Sequence, residues 1–302
     1  MNLPEPFFSL AADRRPQIAI FLSGSGSNAE RILRRWDAGG RAAFDVAALV
    51  TDCPEKSRAR EIAGRFNLNL VANDIRVFHR QRSCKRITLA TPEGRQLRGE
   101  WTNALRTQLA AYGIDFVLFA GFVPLTNLTA DFPCLNVHPG DLTYLTDGTR
   151  HLVGLHTVPI ERAILARLDY LRSSVIIAEP YEGGGNNMDS GPILGISTKV
   201  PIDFQGHELR ALQAIADARP DKRPVGGFGD ALEAVAAANQ ECLKQGGDWI
   251  VFPGVVFDFA AGKFAIDETK KLFYRDGEAW TPIATVEYGE DFVRIVPRAA
   301  GS

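Results

Sequence analysis

The 302 residues carry 34 basic and 36 acidic side chains, a formal charge of −2, which leaves no global positive field for wrapping nucleic acid. Hydrophobic residues make up 45% and charged residues 23%, the composition of a folded globular protein and not of a disordered chain. At roughly 100–200 residues per domain the length allows one large α/β domain or two ordinary ones. Cys53, Cys84, Cys134 and Cys242 form no CxxC pair, so they read as reduced thiols of a cytoplasmic protein and not as a zinc or redox motif. Residues 1–17 lack a basic start followed by an apolar run, so no signal peptide is expected. The longest apolar stretches, 116–124 and 250–257, fall far short of the ~20 residues of a membrane helix; core strands or a buried helix end are expected there.

Residues 17–22, rich in Ile and Phe, predict a strand that ends in Ser23-Gly24-Ser25-Gly26-Ser27-Asn28, and apolar residues at helical spacing over 29–36 predict a helix. The order repeats as strand 44–50, turn 51–55 and charged amphipathic helix 56–66, so a parallel sheet is implied. After a third strand at 68–71 come Arg76, His79, Arg80, Arg82, Lys85 and Arg86 on a loop or small excursion. This basic cluster is either a solvated face or a docking patch for an anionic ligand. Helical spacing resumes over 95–112, where Gly113 stops it. Phe116 to Ala120 reads as a central parallel strand buried on both faces.

A short strand at 134–137 runs into His138-Pro139-Gly140-Asp141; a helix is expected over 158–171 and a strand over 174–178. Residues 181–187 are a flexible loop by composition; Met188-Asp189-Ser190-Gly191-Pro192 and an apolar strand at 193–196 follow. Residues 204–228, polar and bearing Pro and Gly, are expected as an insertion or lid. Residues 230–244 predict a helix, 257–266 with 272–283 a hairpin, and 286–296 one more strand. No repeat is visible and no linker splits the chain, so a single α/β domain is expected over 1–302, a Rossmann-like open, mostly parallel sheet with helices on both faces.

Glycines after a first strand let backbone approach a ligand closely, and free N–H groups at a helix start attract an anion such as phosphate. The same turn satisfies the looser dinucleotide pattern G-x-G-x-x-G/A, and Asp52 ends the second strand where a ribose-binding acid would sit. A nicotinamide-dependent dehydrogenase and a plain tight turn both stay open on this motif alone. Asn136 and His138, two apart at a strand's end, can project the same way, toward the edge where open α/β sheets bind ligands. An amide beside an imidazole, of reference pKa about 6.5, suits the holding of an oxyanion and the handling of a proton. Asp189 could supply the carboxylate that orients and charges this histidine; the bland alternative is that Asn136 and His138 cap a turn.

These segments together resemble the folate-dependent formyltransferases, most closely the glycinamide ribonucleotide formyltransferase branch. Ser23-Gly24-Ser25-Gly26-Ser27-Asn28, Ala120-Gly121-Phe122, Leu135-Asn136-Val137-His138-Pro139, Gly154-Leu155-His156-Thr157 and Asp189-Ser190-Gly191-Pro192-Ile193 carry the resemblance, in matching order and approximate spacing. Asp248-Trp249-Ile250-Val251-Phe252-Pro253 and Phe259-Ala260-Ala261-Gly262-Lys263 are similar to the family's closing helix and hairpin. The resemblance implies the formyltransferase fold with a C-terminal helix and β-hairpin extension. Its Rossmann-like half would cover about 17–138 and its folate and catalytic half about 139–283, with the 204–228 insertion within the latter and an extra strand at about 284–298.

It further implies that Asn136, His138 and Asp189 are the catalytic trio. Gly24, Ser25, Gly26, Ser27 and Asn28 would hold the phosphate of an amine substrate, with Arg95, Gln245 and Asp248 assisting. Val123, Leu125 and the loop before Asp189, namely Asn187 and Met188, would line the pocket for the co-substrate 10-formyltetrahydrofolate. No metal is needed for direct transfer. The expected partners are a small phosphorylated amine and a folate, with no nucleic acid or membrane, and a homodimer stays open. One-carbon metabolism, and purine biosynthesis within it, would be the setting.

The chain also departs from the family. Gly140-Asp141-Leu142-Thr143-Tyr144 stands where Ser-Leu-Leu-Pro usually follows the His-Pro, and the segment before Gly154 is longer. Pro124 replaces a common arginine, and Ile176 sits where a histidine is often found. An altered amine pocket is the consequence. Methionyl-tRNA formyltransferases carry a basic C-terminal barrel that this ending does not resemble, and formyltetrahydrofolate hydrolases carry an N-terminal regulatory domain, whereas the first predicted strand here begins at Gln17. A catalytically silent binding protein would explain the departures but leaves the trio a coincidence.

Overall fold

The computed structural model describes residues 3–9, 14–84, 86–183, 187 and 189–298. In chain order they form β1 (Glu5–Pro6), β2 (Gln17–Phe21), α1 (Ser27–Asp37), β3 (Asp45–Thr51), α2 (Ala59–Phe66), β4 (Leu70–Ala72), α3 (Ile75–Gln81), α4 (Pro92–Leu109), β5 (Phe116–Phe119), β6 (Cys134–His138), β7 (Leu145–Thr146) and β8 (Thr149–Arg150). Then come α5 (Val158–Leu165), β9 (Tyr170–Leu171), β10 (Ser174–Ile177), β11 (Ile193–Ser197), β12 (Val200–Pro201), α6 (Leu209–Asp217), α7 (Ala231–Leu243), α8 (Trp249–Ala260), β13 (Phe264–Ile266), β14 (Leu272–Arg275), β15 (Trp280–Tyr288) and β16 (Val293–Pro297). Two compact units divide the chain. The first is Met1–Val137, Ile176–Pro192 and Pro253–Ile283; the second is His138–Val175, Ile193–Phe252 and Ala284–Ser302.

In the first unit β4, β3, β2, β5 and β6 pair in that order, all parallel. This is the expected Rossmann-like α/β sheet. Every residue of β5 is buried, which its unbroken apolar run requires. Phe21, Val50, Trp101, Leu105 and Val117 belong to one core cluster. Because the chain leaves β2 for β3 on one side and reaches β5 on the other, the carboxyl ends of β2 and β5 flank the switch point at which open sheets take their ligands. An antiparallel set joins β1 to β13, β13 to β14, and β14 to the start of β15.

In the second unit α5, α6 and α7 share a core that includes Ile160, Ile164, Leu212, Leu232 and Val235. β11 pairs in parallel with the end of β15, Gly195 opposite Val286. β7 and β8 form a hairpin around Asp147 and Gly148, at φ 51° and 74°, the left-handed pair that a two-residue hairpin turn demands. The segment after His138 thus contains a hairpin.

Several expectations are corrected. The basic stretch contains helix α3, started by Asp74, whose side chain accepts from the Arg76 and Val77 amides. The helix expected over 158–171 ends at Leu165; Arg167 is left-handed at φ 61° and the chain turns into β9. Residues 204–228 contain α6, which buries Leu212 in the second unit's core, and Arg219 bonds Glu161 at 2.5 Å and Asp230 at 2.7 Å. Residues 257–260 end helix α8 instead of opening a hairpin, and 286–296 holds the end of β15 and most of β16. No described helix is long and apolar enough to cross a membrane, and all four cysteines are free.

Candidate active site

The glycine turn sits at the carboxyl end of β2. Gly26 caps α1 at φ 65°, and a Cβ there would lie 2.6 Å from Ile62 Cδ1 and 2.7 Å from Leu22 Cδ1, so both backbone and packing exclude a side chain. Gly24 is exposed with open space around it. Arg58 holds the turn from α2's side, its N–H donating to the Gly24 carbonyl at 3.0 Å and its Nη1 to that of Ser25 at 3.3 Å. Glu30 in the first turn of α1 would oppose an anion, but Arg34, Arg58 and Arg65 all pair with it. The Arg34 bond foremost holds its carboxyl below the usual range. The α1 amides and dipole therefore offer a partly neutralised anion cradle.

Asp52 at the end of β3 is 7% exposed and accepts the Ser23 hydroxyl at 2.5 Å. Burial pushes its carboxyl pKa up, against the Ser23 bond. A carboxylate committed inward in this way is a poor partner for a ribose diol, so the dehydrogenase reading loses the acid that supported it.

Asn136 is half-buried on β6, in register with Phe119 of β5. His138 ends the same strand, 3% exposed, with Nε2 2.7 Å from the Leu152 carbonyl oxygen. A carbonyl only accepts, so Nε2 carries the proton and any exchange with substrate falls to Nδ1. Gly140 leaves room for this bond: a Cβ there would stand 2.6 Å from the Leu152 oxygen and 2.9 Å from His138 Nε2.

Asp189 is buried in a loop that closes at its base, where the Ile177 N–H donates to the Pro192 carbonyl at 3.1 Å. Asn187 braces this loop: its Nδ2 donates to the Pro180 carbonyl at 2.9 Å and its Oδ1 accepts from the Glu182 amide at 3.0 Å. Met188 lies outside the described residues, as do Lys85 and 184–186. Arg95 is exposed near the start of α4 and donates to the Leu89 carbonyl at 2.9 Å. Val123 is exposed and Leu125 half-buried on the loop after β5.

The glycine turn, Arg95, Val123, Leu125, Asn136, Asn187 and Asp189 thus belong to the first unit; His138, Gln245 and Asp248 belong to the second. Gln245 is exposed, while Asp248 is buried and accepts the Ser173 hydroxyl at 2.5 Å. Both lie on the one π-helical turn between α7 and α8, Lys244–Asp248, a widening that recurs at functional sites. Of the basic cluster, Arg76, Arg80 and Arg86 are exposed, Arg82 pairs with Glu100 and stacks on Phe78, and His79 is buried.

Arg98 of α4, at this end of the first unit, escaped the sequence reading, and His79 of α3 was read only as part of the basic cluster; both are buried. The signal was present, since Arg98 shares the helical stripe of Leu97, Trp101 and Leu105, and His79 lies four residues after buried Ile75. A charge on an apolar stripe is the mark to look for.

No protein-family model matches the chain, and neither does any curated protein. Among solved structures, glycinamide ribonucleotide transformylase 1 from Symbiobacterium toebii is 21% identical with a TM-score of 0.55, covering 87% of this chain and 95% of its own. The phosphoribosylglycinamide formyltransferase of Coxiella burnetii is 17% identical at TM-score 0.57, with 91% and 100% covered. A formyltetrahydrofolate deformylase from Pseudomonas putida is 14% identical at TM-score 0.51, with 88% and 72% covered. The chain therefore has the folate-dependent formyltransferase fold, as found in glycinamide ribonucleotide formyltransferases and formyltetrahydrofolate deformylases.

Proposed function

We propose that this protein transfers the formyl group of 10-formyltetrahydrofolate to the primary amine of a phosphorylated small molecule, glycinamide ribonucleotide or a related amine. The observation that carries the reading is the Asn136 and His138 pair at the carboxyl end of β6, an amide and an imidazole whose spacing on one strand gives them the same side. The fold likeness and the ordered motifs support it.

In this reading the unprotonated amine attacks the formyl carbon, and the Asn136 amide N–H stabilises the oxyanion that forms. His138 Nδ1 takes the proton shed by the amine nitrogen, its Nε2 being held by Leu152, and the imidazolium then adds its charge against the oxyanion. The bond from the formyl carbon to folate N10 breaks, N10 takes up a proton, and a formamide and tetrahydrofolate result. Asp189 is assigned the carboxylate that supports this proton's passage. Gly24 to Asn28 and the α1 amides hold the phosphate, with Arg95, Gln245 and Asp248 on the amine substrate. Val123, Leu125, Asn187 and Met188 line the folate side. The setting is one-carbon metabolism in the cytoplasm, and purine biosynthesis if the amine is glycinamide ribonucleotide.

The test is the rate of tetrahydrofolate release from 10-formyltetrahydrofolate with and without a panel of phosphorylated amines. Release that depends on the amine supports the reading, and Asn136→Ala and His138→Ala should each lower it about 100–1,000-fold while melting cooperatively. Formate released without any amine would favour hydrolysis. A melting temperature raised by NAD(H) and not by folate would favour the dehydrogenase.

A further inference from the structure

The loop 121–126, which follows β5 in the first unit, is tied to the interior through two backbone groups. The Val123 N–H donates to Ser23 Oγ at 2.9 Å, and the Ser23 hydroxyl donates onward to Asp52 Oδ1 at 2.5 Å. Further along, the Leu125 carbonyl accepts from Arg98 Nη1 at 2.6 Å. Both charged anchors are buried, Arg98 at 6% exposure.

Stability alone does not account for this pair. Burial pushes the Arg98 guanidinium pKa down and the Asp52 carboxyl up, although the two attract each other. Arg98 also buries its Nε with no hydrogen-bond partner among the described residues. An incompletely satisfied buried cation costs stability, and an apolar side chain of similar volume commonly replaces one at no loss. The position lies on the stripe of α4 that otherwise buries Leu97, Trp101 and Leu105. What the charge does achieve is local. With its backbone tied inward on both sides of Pro124, the loop leaves the Val123 side chain 56% exposed, an apolar edge held in one place.

We propose that Arg98 is a positioning residue for folate binding: it holds the Leu125 carbonyl while Asp52, through Ser23, holds the Val123 amide, and together they fix the ledge on which the folate ring system rests. The proposal rests on the formyl-transfer reading, in which Val123 and Leu125 face the folate. A ledge ordered before the ligand arrives spares binding the cost of ordering it, so the effect falls on the folate and not on the amine.

The test is Arg98→Met, which keeps the length and removes the donors. Calorimetric titration with tetrahydrofolate should give a Kd about 10- to 100-fold higher than wild type, the span of one hydrogen bond from a charged donor. The KM for 10-formyltetrahydrofolate should rise in step while the KM for the amine stays within about twofold, a split that general destabilisation would not produce. Arg98→Lys should recover part of the loss, since an ammonium still donates to the carbonyl. If Arg98→Met does not fold, Arg98→Gln takes its place under the same criteria. Unchanged tetrahydrofolate affinity in a cooperatively folding variant, or equal rises in both KM values, overturns the proposal. A wild-type protein that binds no tetrahydrofolate overturns the formyl-transfer reading itself, and the two failures are thereby told apart.

Discussion

A methyl group added at Gly191 would end 1.8 Å from the Ile177 carbonyl oxygen, where real Cβ contacts essentially never fall below 3.0 Å. Strand end and loop must therefore separate by about 1.2 Å, the difference between those two distances. Ile177 yields poorly, because it ends β10 and donates its N–H to the Pro192 carbonyl at 3.1 Å. The displacement passes to the loop that carries Asp189, and a misplacement of ~1 Å can cost catalysis about 100-fold. Overpacking adds a stability loss of about 1–3 kcal/mol, small enough for most of the protein to stay folded at 25 °C. The assay is kcat for tetrahydrofolate release beside urea unfolding. Gly99→Ala serves as the comparison, since Gly99 lies within α4 with nothing within 4 Å of an added methyl, and alanine there should add about 1 kcal/mol of stability. Gly191→Ala turning over at the wild-type rate with unchanged stability would show that the Asp189 loop does not depend on this close approach.

Gly140→Ala places a methyl against both the Leu152 oxygen and His138 Nε2. It should lower kcat at least about 10-fold and change the imidazole tautomer seen by nitrogen NMR; an unchanged spectrum with full activity contradicts the assigned proton. Burial, then Arg98 and Arg82, hold the His79 pKa down. The unfolded chain thus takes up a proton below its unperturbed value of about 6.5 that the folded chain resists. Stability should be full above that pH and fall as pH drops toward the lower folded value, a slope that His79→Leu should flatten in urea unfolding at a series of pH values; equal slopes contradict it. Arg219→Met leaves Glu161 and Asp230 without their shared partner and should cost about 3 kcal/mol of stability. Formyl transfer by the molecules still folded should proceed at the wild-type rate; a loss of kcat would give residues 204–228 a role beyond holding α5 to α7.

Much of the first unit is legible in the residues because its signals are local. Phe116 to Phe119 reads as a buried strand within a parallel sheet, and Gly26 marks a left-handed helix cap that its neighbours also crowd. The helix α8 is harder, since Trp249 to Ala260 is apolar almost throughout and contains Pro253, which erases the period that separates strand from helix. Helix α3 hid behind its arginines, although Asp74 supplied a start signal. The polar 204–228 stretch read as an insertion or lid, while Leu212 and the pairs of Arg219 and Arg223 with Glu161 tie it to elements distant along the chain.

The candidate site divides in the same way. The strand alternation that relates Asn136 to His138 is a property of adjacent residues and could be read directly. The fixing of His138 Nε2 by Leu152, the commitment of Asp52 to Ser23 and the bond from Arg98 to the Leu125 carbonyl depend on partners 14, 29 and 27 residues away. No local pattern encodes such pairings.

The most direct measurement follows the carbon itself. With 10-formyltetrahydrofolate labelled in its formyl carbon and glycinamide ribonucleotide as acceptor, carbon NMR should show the label leaving N10 and appearing as the formamide of the amine, in step with tetrahydrofolate release. Label recovered as formate, or left on N10 with every phosphorylated amine offered, would contradict the account.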